Sequence, residues 1–172
     1  MLETVDIAAF IRSAASEVFT TMLGMEIEAG PEREERTGPD VADGVLAFIG
    51  LAGPWAGAGA ISCSASLSCK LCEALLMTEA ASVNEEVLDA MGEVTNMIIG
   101  NFKTLAEERL GPLGLSIPTV IYGRNFKSRG GSQNMWVVVP FTCASGEMEV
   151  RVCLAPSKDN MGVPHSSVTA VG

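Results

Sequence analysis

From residue 3 to residue 23 apolar residues recur at helical spacing, with Val5, Phe10, Ile11, Ala14, Val18 and Met22 near one face. That period predicts an amphipathic helix. The pattern breaks at 29–40, AGPEREERTGPD, where Pro, Gly and six charges predict an exposed loop. Two apolar runs follow, at 43–51 and 57–65, with Gly53-Pro54 between them as a turn. They predict a pair of buried strands. A short helix is expected over 66–79, then a long one from about Asn84 to Arg109. Ser82 or Asn84 serves as the cap of the long helix, Glu85 and Glu86 fill its first turn, and Gly111-Pro112 stop it.

The last third reads as strands: LSIPTVIYG at 115–123, NMWVVVPFTC at 134–143 and GEMEVRVCLA at 146–155, with Ser145-Gly146 as a hairpin turn. In the final strand Met148, Val150, Val152 and Leu154 alternate with Glu147, Glu149, Arg151 and Cys153, which predicts one buried and one solvated face. Short turns between consecutive strands indicate an antiparallel sheet, so the fold class is α+β with long helices packed on one face. An internal repeat supports pseudo-symmetric αββ units: Glu17-Val-Phe-Thr-Thr-Met-Leu-Gly24 aligns without gaps with Glu93-Val-Thr-Asn-Met-Ile-Ile-Gly100. The 172 residues fit one domain, with 156–172 as a loose tail.

Charge and composition then narrow the function. Eleven basic residues against 21 acidic ones give a net charge of −10, with no basic surplus to displace counterions from nucleic acid. Nine aromatic residues offer little for base stacking. One histidine, His165, leaves little room for a Ser–His or Cys–His engine or a His-rich metal site. The N-terminal MLETVDIAAF lacks the basic region of a secretory signal. The uncharged stretch from Gly44 to Cys69 is interrupted by five glycines, which fits paired strands better than a membrane span. The cysteines are five, an odd number; Cys63, Cys143 and Cys153 sit in apolar, strand-like runs and suggest buried thiols in a cytosolic protein. Cys69-Lys-Leu-Cys72 has a redox or zinc spacing, but it lacks a second such pair and lies among Leu67, Leu71, Leu75 and Leu76. An ordinary helix with buried thiols is the simpler reading.

The long helix carries the strongest signal. Its apolar face holds Met91, Ile98, Phe102 and Leu105, and its other face aligns Asp89, Glu93 and Asn96. Most such polar faces are merely solvated. Here, however, Gly92, Asn96 and Gly100 sit on or beside the face and together sacrifice roughly 2 to 2.5 kcal/mol of helix propensity relative to alanine. Glycines bracketing an asparagine would let a macromolecule dock flat against the helix, so the face reads as a contact site.

Asp89-x3-Glu93-x2-Asn96, continuing as Met-Ile-Ile-Gly-Asn-Phe and followed by Pro118, resembles the signature of the CheC/CheX/FliY group of chemotaxis phosphatases, most of all its CheX-type members. The element order is similar over most of the chain. The resemblance implies dephosphorylation of the aspartyl phosphate of a CheY-like response regulator, in a cytoplasmic homodimer. It places catalysis on Glu93 and Asn96, with Asp89, Gly92 and Gly100 bordering the partner. It implies no cofactor of the chain's own, with Mg²⁺ expected in the regulator. In the first helix Ser13-x3-Glu17-x2-Thr20 keeps the spacing but puts Thr where the amide should be. Thr lacks an amide's carbonyl and NH₂ pair. That helix is expected to be a structural relic, buried or used elsewhere. The rival reading is a catalytically silent module that binds a response regulator. A flagellar-switch subunit of the FliY type would call for further domains.

Overall fold

The computed structural model describes residues 2–127 and 134–158. The chain starts with α1 (Thr4–Val18), which runs directly into a π turn (Phe19–Leu23) closed by Gly24. Two short strands, β1 (Glu28–Ala29) and β2 (Arg33–Glu35), precede a hairpin of β3 (Asp40–Ala52) and β4 (Trp55–Cys63). Helices α2 (Ala65–Leu76) and α3 (Glu85–Leu110) follow, then β5 (Gly114–Leu115), β6 (Thr119–Lys127), β7 (Trp136–Cys143) and β8 (Gly146–Pro156). The expected helices, the turn at Gly53-Pro54 and the hairpin at Ser145-Gly146 are all present. The strand expected at 115–123 is instead a two-residue bridge and a longer strand that starts at Thr119.

All strands form one antiparallel sheet in the order β1-β7-β8-β4-β3-β5, with β2 also on β7 and β6 also on β3. Renaming β1 to β4 as β5 to β8, and the reverse, turns this order into its own mirror reading. The sheet therefore has a pseudo-twofold centred on the β4–β8 pair, as the repeat between the two long helices suggests. Each half lends its two leading strands to the other half's last-but-one strand, β1 and β2 to β7 and β5 and β6 to β3.

The core lies between the helices and one sheet face. Ile11, Val18 and Phe19 meet Met91, Ile98, Ile99 and Phe102, over Val45, Ile61, Val139, Val150 and Val152 of the sheet. A close approach seats α3: a β-carbon on Gly59 of β4 would stand 2.5 Å from Ile99 Cδ1 and 2.8 Å from Ile99 Cγ1. Only glycine lets the isoleucine rest on the strand. Asp6 and Arg109 pair at 3.0 Å, and Phe10 meets Phe102 edge-on with centroids 6.3 Å apart. These contacts fix α1 antiparallel to α3.

Four expectations need correction. The 29–40 segment is not wholly loop, because β1 and β2 pair with β7. The charged sequence of β2 carries no apolar alternation, so only the waiting edge of β7 makes it a strand. On α1, Val5 (64% exposed) and Met22 (52%) lie outside the buried face, which Ile7, Ala8 and Ala15 complete. A π turn holds more than four residues, so the residue below Val18 is Leu23 rather than Met22. The outer face of β8 is solvated only at its start: Glu147 is exposed and Glu149 half-exposed, but Arg151 and Cys153 are buried there. Arg151 donates to Glu35 at 2.8 Å and Glu149 at 2.5 Å, and Arg33 pairs with the same two glutamates. Finally, Ser13, Glu17 and Thr20 are exposed, so the first helix does not bury its copy of the motif. Of the expected loose tail, Pro156 is the last residue of β8, paired with Trp55, and Ser157 and Lys158 follow it; the rest, with His165, lies outside the described residues. Ser157 N–H donates to the Pro54 carbonyl at 2.9 Å.

Candidate functional site

Helix α3 is built to hold its polar face still. Asn84 caps it, its side-chain oxygen accepting from Val87 N–H at 2.9 Å. Such a cap is worth about 1 kcal/mol. Glu85 and Glu86 sit against the positive end of the helix dipole and Arg109 against the negative end. At the far end Gly111 N–H donates to the Glu107 carbonyl at 3.0 Å, with φ of 82°. Between the caps Val87, Met91, Val94, Ile98 and Phe102 are buried, which fixes the helix's rotation about its axis.

With that rotation set, Asp89, Glu93 and Asn96 are all exposed, on one side of the helix. Among the described residues, no hydrogen bond or ion pair engages their side chains. Lys103 lies along the same side, but it is tied to Glu107 at 2.8 Å. Lys103, followed by the Leu113 N–H, holds the Glu107 carboxyl below its ordinary range. Lys103 is thereby engaged further along the helix, and Asp89 and Glu93 lie exposed beside the Asn96 amide. Three such side chains, pre-positioned but unengaged, suit contact with a second molecule better than they suit fold stability.

The two glycines differ. Gly92 is not on the exposed face: it is buried, with Pro118 Cγ and Val120 Cγ2 each 3.5 Å from where a β-carbon would lie. It offers no surface, because the chain itself returns over it after α3. Gly100 is half-buried, and Leu115 Cδ1 lies 3.8 Å from its would-be β-carbon. The flat-docking argument therefore survives at Gly100 alone. Pro118 gains a role that spacing did not reveal, covering the turn of α3 from which Glu93 projects.

A family model described as chemotaxis phosphatase CheX matches residues 45–142, more than half of the sequence and the whole of α3. The chain belongs to the CheX family of chemotaxis phosphatases. Solved CheX structures agree over nearly their full lengths. A CheX from Desulfovibrio desulfuricans is 25% identical, with a TM-score of 0.78, covering 87% of this chain and 99% of its own. A CheC-like superfamily protein from Shewanella sp. PV-4 is 27% identical, with a TM-score of 0.77 over 88% of this chain and 98% of its own. CheX in the CheX–CheY–BeF₃–Mg²⁺ complex from Borrelia burgdorferi is 27% identical, with a TM-score of 0.72 over 87% and 98%. No curated protein matches the sequence.

The cysteines belong to the packing of the fold. All five cysteines are free, and Cys69 and Cys72 are buried on α2 beside Val87 and Ala90 of α3. Burial pushes the Cys63 thiol up to about 12, with smaller contributions from Cys143 and Cys69. It also raises Cys72 and Cys153. Raised thiols are poor nucleophiles. No helix among the described residues is long and apolar enough to cross a membrane.

What the residue pattern missed is the neighbourhood of α3. Met97 follows Asn96 in the chain, and the π turn of α1 brings Met22 and Thr21 near it. Ile117, beside Pro118, is 88% exposed. The only hint in the sequence was the adjacency of Met22 and Leu23, either of which could have faced inward.

Proposed function

We propose that this protein hydrolyses the aspartyl phosphate of a CheY-like response regulator, using Asn96 to orient the attacking water and Glu93 to fix the docking. The observation that carries this reading is the trio Asp89, Glu93 and Asn96, exposed and unengaged on a capped, rotationally fixed helix. Family membership and the CheX–CheY complex of the Borrelia relative support the partner class.

The chemistry demands little of the chain. Hydrolysis forms a bond from water oxygen to phosphorus and breaks the phosphorus–oxygen bond to the aspartate carboxylate. The products are inorganic phosphate and the free carboxylate. The regulator is expected to bring its own Mg²⁺ and lysine, so this chain needs no cofactor. What remains to be supplied is a water held in line with the scissile bond. The Asn96 Oδ1 accepts a hydrogen bond from that water and points its lone pair at phosphorus. An amide does this without becoming protonated, so no histidine is needed. Glu93, three residues before Asn96, pairs with the regulator's lysine and sets the register. Asp89 and Gly100 border the contact, while Gly92 lies beneath it, covered by Pro118. The working unit is proposed to be a cytoplasmic homodimer.

Decay of a phosphorylated receiver domain, followed with and without the protein, tests the reading. Faster decay at catalytic amounts of protein is the expected result. Binding of the phosphorylated receiver with unchanged decay would instead assign a silent interaction module.

A further inference from the structure

The groove between α1 and α3 is the second feature of this face. The Asp6–Arg109 and Phe10–Phe102 contacts set the register of the two antiparallel helices, so the π turn lies beside the middle of α3. There Glu17, Val18, Thr21 and Met22 face Met97 and Asn101 across a groove of about 250 Å³. Glu93, Met97 and Asn101 form one row at i, i+4 and i+8, so the groove continues the docking face without a break. A partner seated over Asn96 must also cover Met97.

The π turn makes this groove. Continued as an α-helix, the chain would stack Met22 over Val18 and turn it inward. The extra residue in the turn sends Leu23 into the core at 6% exposure and leaves Met22 52% exposed at the groove wall. π turns within α-helices often occur at functional sites. The lining is amphipathic. Val18, Met22 and Met97 give an apolar floor, and methionines reshape readily around an inserted side chain. Glu17 supplies a carboxylate on the rim, unengaged among the described residues, and Glu93 supplies another one turn from Met97.

We propose that the groove receives a lysine or arginine side chain of the phosphorylated receiver domain, its aliphatic stem on Met22 and Met97 and its cationic end at Glu17. An apolar floor with an acidic rim fits such a side chain, which buries its stem and keeps its charge outward. In this arrangement the first copy of the motif is a second docking point rather than a relic. The inference rests on the phosphatase reading above and adds a specificity determinant to it.

Full-length Met22→Asp and Glu17→Lys variants test it in steady-state assays with phosphorylated receiver, beside Asn96→Ala and the control Val5→Asp at the far end of α1. Each groove variant is expected to raise KM about tenfold with kcat nearly unchanged, since KM reports binding when chemistry is slow. The Glu17→Lys effect is expected to shrink in high salt, and Val5→Asp to leave KM alone. Both groove positions are exposed, and unchanged circular dichroism will confirm folding. Unchanged KM in both variants, with Asn96→Ala inactive, overturns the groove inference alone. Unchanged KM with an altered oligomeric mass in Met22→Asp assigns the groove to a second copy and equally overturns it. Full activity in Asn96→Ala overturns the phosphatase reading beneath it.

Discussion

Pro118 closes over Gly92: its Cγ lies 3.5 Å from the point where a β-carbon on that glycine would stand. The segment after α3 thus covers the turn that launches Glu93. At 3.5 Å a methyl group makes ordinary van der Waals contact, so the glycine is not enforced by space.

Gly92→Ala is therefore expected to stabilise the protein. Alanine exceeds glycine in a helix interior by about 0.8 to 1 kcal/mol. In a chain of this size that raises Tm by about 2 to 4 °C. Because Gly92 has no exposed surface, receiver turnover is expected to stay unchanged. Calorimetry of the variant checks the first claim and phosphate release the second; a lower Tm would show that Pro118 tolerates no methyl.

The thiols give a second prediction. Cys63, Cys69, Cys72 and Cys153 are buried, and burial raises the thiols of Cys63, Cys72 and Cys153. A thiol reagent at pH 8 is expected to modify Cys143 first, since it alone of the five is half-exposed. The other four should react on the timescale of opening of the structure. Peptide mapping after timed labelling reads this out. Rapid reaction at Cys69 and Cys72 would revive a chemical role for that pair.

Acid sensitivity follows from two carboxyls, Asp6 tying α1 to α3 and Glu107 tying the end of α3 to the segment that follows it. Lys103 and then the Leu113 N–H hold Glu107 below its ordinary 4.5, and the Glu3 N–H and then Arg109 hold Asp6 below 3.8. A carboxyl depressed in the folded state stabilises it fully above the unfolded value and loses that contribution as pH falls through the folded one. Stability is thus expected to decline from about pH 4.5 downward. Glu107→Gln is expected to be less stable at neutral pH and to show a shallower acid limb. Thermal melts from pH 7 to pH 3 decide it, and parallel curves for the two proteins would contradict the assignment.

Much of the architecture could be read in advance because it rests on local chemistry. Asn84, Glu85, Glu86 and Gly111-Pro112 delimit α3, and apolar residues at helical spacing place Glu93 and Asn96 outward. Gly53-Pro54 and Ser145-Gly146 mark two hairpins through turn chemistry alone. The misses share one cause, dependence on distant chain. β1 and β2 exist because β7 offers an edge. Arg151 is buried because Glu35, more than a hundred residues earlier, returns to pair with it. Gly92 is covered because Pro118 folds back over α3. The π turn is a different case: Met22 and Leu23 are both apolar, so the pattern fits either hydrogen-bond period, and only packing chooses.

The central claim is that Asn96 positions the water which attacks the receiver's aspartyl phosphate. The most direct measurement is the rate of receiver dephosphorylation by Asn96→Ala at saturating receiver, beside a binding measurement on the same variant. Loss of one positioning polar group is expected to lower the rate by about a hundredfold or more. Binding should stay near that of the unmodified protein, and helix content should not fall, since alanine is the better helix former. Dephosphorylation at the full rate by Asn96→Ala would contradict the account.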